Sequence, residues 1–172
     1  MPVRFSDDDD DLIGVERDIR NRTGELQADP YSLAAISNVF RVASAARYHF
    51  ERGVLAEFGL SFTAFTTLWV LWVWGEREAR HLAADAGITK GTLTGVVGTL
   101  ERRGLVTRRV HPTDRRLVLI SATEDGETIM RKLFPAFNAE EARISSRLSP
   151  IEKKQLSHGL REILRAIEDI GG

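Results

Sequence analysis

Apolar side chains recur with a helical period through most of the chain, and the places where the period fails divide it. Ile36, Val39, Phe40, Ala43, Ala46, Phe50, Val54 and Phe58 recur with a helical period. That spacing predicts one long amphipathic helix, started by Asp29 and Pro30 and ended by Gly59. Ser61 is placed to cap a second helix, whose stripe Phe65, Leu68, Trp69 and Trp72 stops near Gly75. Residues 77–104 hold two shorter helical patterns broken at Gly87. The texture then changes to two short β-type runs, 105–110 and 117–121, joined by the turn-rich segment His111, Pro112, Thr113, Asp114, Arg115, Arg116. Thr123 followed by Glu124 and Asp125 starts another long helix, with Pro135 expected to kink it. A last helix opens on Ser149, Pro150, Ile151 and Glu152, a capping box with proline at the first helical position. It continues through Leu156, Leu160, Ile163, Leu164 and Ile167. The predicted order is helix, helix, two short helices, hairpin, helix, helix.

Charge changes this picture, because the net value of −1 over 172 residues hides two opposed blocks. Residues 1–29 hold nine acids and four bases, including five consecutive aspartates at 7–11, whereas residues 90–116 hold seven bases and two acids. The first block reads as an acidic tail with a short helix around residues 12–22, and the second as a local contact for an anionic polymer. A solvated charged face would mix its signs. With 42% apolar residues the chain can build a core. Zero cysteines exclude thiol catalysis, disulfides and cysteine-ligated metal centres. The start has no secretory pattern and no run is long enough to span a bilayer, so the expectation is a cytoplasmic chain without membrane contact.

Within residues 77–104, Ala83, Gly87 and Leu93 have the spacing of a helix-turn-helix. A small residue at 83 lets two helices cross closely, Gly87 allows a turn with positive φ, and Leu93 pins the second helix to the first. Leu82, Ile88, Val96 and Leu100 complete the buried side. The second helix ends in Leu100, Glu101, Arg102, Arg103, Gly104, Leu105, Val106 and runs into a hairpin tipped by Asp114, Arg115 and Arg116. This junction and this tip, within residues 88–121, resemble the MarR family of winged helix-turn-helix transcriptional regulators. The order of helices extends the likeness over about residues 32–170.

The resemblance implies a mainly α fold with a small β-hairpin wing, its winged helix-turn-helix flanked by N- and C-terminal dimerisation helices. The corresponding division is an acidic tail or short helix (1–30), N-terminal helices for dimerisation and a cleft (31–75), a DNA-binding domain (76–122) and C-terminal dimerisation helices (123–172). Thr89 would cap the recognition helix and bring Lys90, Thr92 and Thr94 to phosphates and major-groove base edges. Arg115 or Arg116 would enter the minor groove, Asp114 would brace the wing by pairing with a nearby arginine, and Arg102, Arg103, Arg108 and Arg109 would meet phosphates. Gly95 and Gly98 depart from the family's larger polar side chains, either to let the backbone approach DNA or because they are tolerated there.

The implied partners are double-stranded DNA carrying an inverted-repeat operator, a second copy of the chain, and a small aromatic or phenolic effector that would release a repressor. Phe50, Phe58, Phe65, Trp69 and Trp72, with His49, read either as plain core or as the wall of an effector cleft. The family's urate-responsive branch carries a tryptophan in an N-terminal extension. Here no tryptophan precedes Trp69, so urate gains no support. No cofactor or metal site is expected, since His81, His111 and His158 have no ligand spacing and flexible aspartates seldom order a cation. No phosphate-cradling loop or nucleophile elbow points to an enzyme. A winged-helix protein adaptor without DNA binding is the other alternative, and the basic wing tip argues against it.

Overall fold

The computed structural model describes Asp18, Arg22 and residues 29–171. The aspartates at 7–11 and most of the short helix expected at 12–22 lie outside the described residues. Two compact units divide the chain at His49 and Phe50.

The first unit contributes most of helix α1, Pro30–Arg52. Asp29 starts it, accepting from the Tyr31 amide at 3.1 Å and the Ser32 hydroxyl at 2.5 Å. Those bonds, the Ser32 bond foremost, hold the Asp29 carboxyl below its ordinary range. Tyr31, Phe40, Val42 and Tyr48 are exposed along this helix.

The expected single helix through Phe58 is corrected here. The helix stops at Arg52, Gly53 turns the chain (φ −100°, ψ −116°), and a separate four-residue helix, α2 (Val54–Glu57), follows. Both Val54 and Leu55 are buried. Gly53 lets the chain change direction there, because glycine holds a helix interior poorly. The Leu60 amide closes the segment on the Leu55 carbonyl at 3.0 Å.

Helix α3 (Phe62–Trp74) is capped by Ser61, whose hydroxyl accepts from the Ala64 amide at 3.2 Å. It packs on α4 (Ala79–Asp85), α5 (Lys90–Arg102) and α6 (Glu124–Ile144). Leu55, Leu68, Leu71, Leu82, Leu100, Met130 and Leu133 are wholly buried in this unit. On α5 the inward positions are Leu93, Val97 and Leu100, while Val96 is only half-buried. The expectation of Val96 in the core is off by one residue, because Leu93 and Val97 are separated by one helical turn and Val96 lies beside that line. Gly87 makes the turn between α4 and α5 with φ +65°, and Gly104 (φ +71°) turns the chain from α5 into the sheet.

The hairpin is not alone. Strands β1 (Arg77–Glu78), β2 (Val106–Val110) and β3 (Val118–Ala122) form an antiparallel sheet in the order β1-β3-β2. Two residues carry no readable alternation, and only the free edge of β3 gives β1 its pairing, Arg77 to Ile120 and Glu78 to Leu119. Helix α6 is capped by Thr123, which accepts from the Gly126 amide at 3.1 Å, and runs as one element through Pro135. Helix α7 (Pro150–Gly171) begins with the predicted box: Glu152 accepts from the Ser149 amide at 2.7 Å, and the Ser149 hydroxyl accepts from the Glu152 amide at 3.4 Å. None of its residues is buried.

Candidate nucleic-acid interface

Thr89 holds the first turn of α5, accepting from the Thr92 amide at 3.1 Å. Lys90, Thr92 and Thr94 are exposed beyond that cap, next to unpaired amides and the positive end of the helix. The Thr94 hydroxyl donates to the Lys90 carbonyl at 3.0 Å. With its one proton spent, it can accept from a base amino group or offer its methyl to a thymine.

The wing tip is built on two side chains. His111 Nδ1 faces the amides of Thr113 and Asp114, both at 3.3 Å, and the Leu117 amide closes on the Asp114 carbonyl at 3.0 Å. Asp114 accepts from the Arg116 amide at 3.0 Å and from its guanidinium at 3.0 and 2.9 Å. These bonds keep the Asp114 carboxyl below its ordinary range. Arg115 is exposed beside this brace.

Recognition helix and wing enclose one groove of about 390 Å³, lined on one side by Lys90, Leu93, Thr94 and Val97, and on the other by Arg108, Arg116, Val118 and Ile120. Its floor is apolar, and its charged lining holds Glu78 beside Arg80, Lys90, Arg108 and Arg116.

Three of the arginines expected at phosphates have partners within the chain. Arg103 donates to the carbonyls of Gly59 at 2.6 Å and Phe58 at 2.8 Å. Arg108 pairs with Glu101 at 3.2 Å, and Arg109 makes a two-pronged pair with Glu76 at 2.7 and 2.5 Å. Arg102 reaches the Thr99 hydroxyl at 3.1 Å. Spacing alone counts cations without seeing the carboxylates and carbonyls the fold sets against them.

The aromatic residues gather on α6. Phe50 and Phe65 each stack on Phe137 with centroids 4.2 Å apart, and Phe134 lies 4.8 Å from Trp69 and 5.6 Å from Trp72. Phe50, Phe65 and Phe137 are buried, whereas Trp69, Trp72 and Phe134 remain half-buried. His49 belongs to the other compact unit, and Phe58 offers its carbonyl to Arg103. Phe134 and Phe137 were missed from sequence, although their spacing with Met130 and Leu133 marks one helical face.

A helix-turn-helix whose second helix shares a groove with a β-hairpin defines the winged-helix class of DNA-binding protein. The MarR family model matches residues 60–118. YwaE of Bacillus subtilis (strain 168), an uncharacterized HTH-type transcriptional regulator, is 34% identical over 151 residues, covering 86% of this chain and 88% of that protein. Among solved structures, the transcriptional regulator PA4135 matches with TM-score 0.70 and 29% identity over 76% of this chain and 95% of that one. NadR in complex with 4-hydroxyphenylacetate matches with TM-score 0.67 and 25% identity, covering 80% and 99%. The chain belongs to the MarR family, whose members are DNA-binding transcriptional regulators rather than enzymes. No single helix among the described residues is long and apolar enough to cross a membrane.

Proposed function

We propose that this chain is a cytoplasmic repressor that binds an imperfect inverted-repeat operator as a homodimer and is released by a small effector. The observation that carries the DNA reading is the shared groove: Lys90 and Thr94 from the recognition helix face Arg108 and Arg116 from the hairpin. Lys90, Thr92 and Thr94 enter the major groove, and the wing lies over the neighbouring minor groove with Arg115 free and Arg116 held by Asp114. Asp114 braces the loop and does not touch DNA.

The dimer reading rests on α7. Leu156, Leu160, Leu164 and Ile167 form one stripe that stays exposed, with Leu164 and Ile167 at 58% and 60%. An apolar stripe of that length is covered in solution by another surface, and a second copy supplies a matching one. Two-fold symmetry then sets half-sites roughly 10 base pairs apart.

For the effector, the half-buried edge of the aromatic cluster, Trp69, Trp72 and Phe134, favours a ring-bearing ligand. The structural relative bound to 4-hydroxyphenylacetate supports a phenolic acid. Tryptophan fluorescence and operator affinity, followed together across phenolic acids, should change together.

Selection of bound duplexes from random DNA, followed by footprinting, tests the central reading. A two-fold protected pattern whose affinity falls steeply with salt is expected. Binding to no duplex at low salt would leave the adaptor alternative in its place.

A further inference from the structure

The strand β2 has one buried side chain, Val106, and four exposed ones. Its partner β3 buries only Ile120 fully. The ladder from Val106–Ala122 to Val110–Val118 ties the two strands to each other, and β1 ties β3 to the body at Ile120 and Leu119, which leaves β2 as the outer strand. Two ion pairs tie the side chains of β2 to the rest of the unit. Arg108 and Arg109 are successive residues of one strand and point to opposite faces. One is held by Glu101 of the recognition helix and the other by Glu76.

Glu76 is well placed for this. It is the single residue between Gly75, which ends α3 with its amide on the Leu71 carbonyl at 2.9 Å, and Arg77, which opens β1. Both its carboxylate oxygens accept from Arg109, at 2.7 and 2.5 Å. A planar guanidinium gripped at two points has its orientation fixed as well as its position. The Arg109 bond holds the Glu76 carboxyl below its ordinary range, so the pair is ionised at neutral pH. The two side chains are 53% and 30% exposed, where an ion pair contributes little to global stability.

We propose that Glu76 is a positioning residue for DNA recognition: acting through Arg109, it sets the angle of the wing and so places Arg115 and Arg116 on the duplex. This rests on the DNA-binding reading above. It assigns Arg109 to the scaffold and takes it out of the phosphate-contacting set.

The two roles predict opposite signs. Removing Glu76 adds positive net charge beside the DNA face. If Arg109 contacts phosphate, Glu76 competes with DNA for it, and Glu76→Ala should bind more tightly with a steeper salt dependence, by about 1 in slope for each subunit. If Glu76 positions the wing, Glu76→Ala should bind more weakly despite the added charge. The test uses the full-length chain and a duplex selected by the wild type. It measures affinity at several salt concentrations, hydroxyl-radical footprints and thermal melting for wild type, Glu76→Ala, Arg109→Glu and the charge-swapped double variant Glu76→Arg/Arg109→Glu.

The expected result is a roughly five- to tenfold loss for Glu76→Ala, the scale of one misplaced contact, with a slope no steeper than the wild type's. Protection should be lost where the wing lies and kept under the recognition helix. The double variant should recover most of the affinity lost by Arg109→Glu, which a phosphate contact at 109 would forbid. Equal or tighter binding by Glu76→Ala overturns the proposal, as does a double variant no better than Arg109→Glu. A Glu76→Ala chain that melts early leaves the double variant to decide. Wild-type protein that binds no duplex overturns the DNA reading, and this inference with it.

Discussion

Gly126 sits in the first turn of α6, and a methyl group there would meet the Leu105 carbonyl oxygen at 2.1 Å and its carbon at 3.1 Å. The contact is about 1 Å shorter than the 3.0 Å that real Cβ atoms respect, and the obstacle is backbone. The helix cannot retreat freely. The same Leu105 carbonyl accepts from the Thr123 amide at 3.1 Å, the Thr123 hydroxyl donates to the Gly104 carbonyl at 2.6 Å, and Gly126 donates to Thr123. Replacing glycine by alanine within a helix normally stabilises by about 1 kcal/mol. Overpacking costs about 1–3 kcal/mol, and each strained hydrogen bond costs a further 0.5–1.5 kcal/mol or so. Gly126→Ala is therefore expected to destabilise by about 2 kcal/mol, lowering the melting temperature by roughly 5–10 °C for a unit of this size. Calorimetry and urea titration at one fixed protein concentration would measure it, since association also shifts melting. A Gly126→Ala variant as stable as wild type would refute the steric argument.

The other predictions use simpler readouts. Gly95 has open space where its methyl would go, so Gly95→Ala should stabilise by about 1 kcal/mol in a melt; a simultaneous fall in operator affinity would mean that the helix backbone lies against DNA, and unchanged affinity that the glycine is tolerated. Arg115→Ala and Arg116→Ala should each weaken binding most at AT-rich flanks while leaving the melt unchanged, and unaltered affinity in both would count against the wing assignment. Leu160→Glu with Leu164→Glu, placed on the exposed stripe of α7, should shift sedimentation from dimer to monomer at micromolar concentration, and an undisturbed dimer would move the interface elsewhere.

What could be read from the sequence was whatever depends on neighbours along the chain. The caps at Ser61, Thr89, Thr123 and Ser149, the turn at Gly87 and the Asp114 brace all involve partners two or three residues away. What could not be read depends on distant partners. Glu76 lies 33 residues from Arg109, and Arg103 lies 44 and 45 from the carbonyls it binds. Strand β1 is likewise defined only by the edge of β3. The break at Gly53 was missed for a different reason: Phe50, Val54 and Phe58 keep helical spacing across it, so periodicity continues where the backbone does not. The helix-turn-helix and the hairpin were legible as motifs, but the intrachain partners of their arginines were not.

The Arg103 clip also bears on time. Its two hydrogen bonds join the last turn of the recognition helix to the turn at Phe58 and Gly59, so they close a long loop of intervening chain. Its long sequence separation predicts that this bond forms late, after α3, α4 and α5 have packed. Interactions absent from the folding transition state act on the unfolding rate. Arg103→Ala should leave refolding after denaturant dilution almost unchanged and hasten unfolding. Arg103 is then expected to govern how long the folded domain persists more than how quickly it is reached.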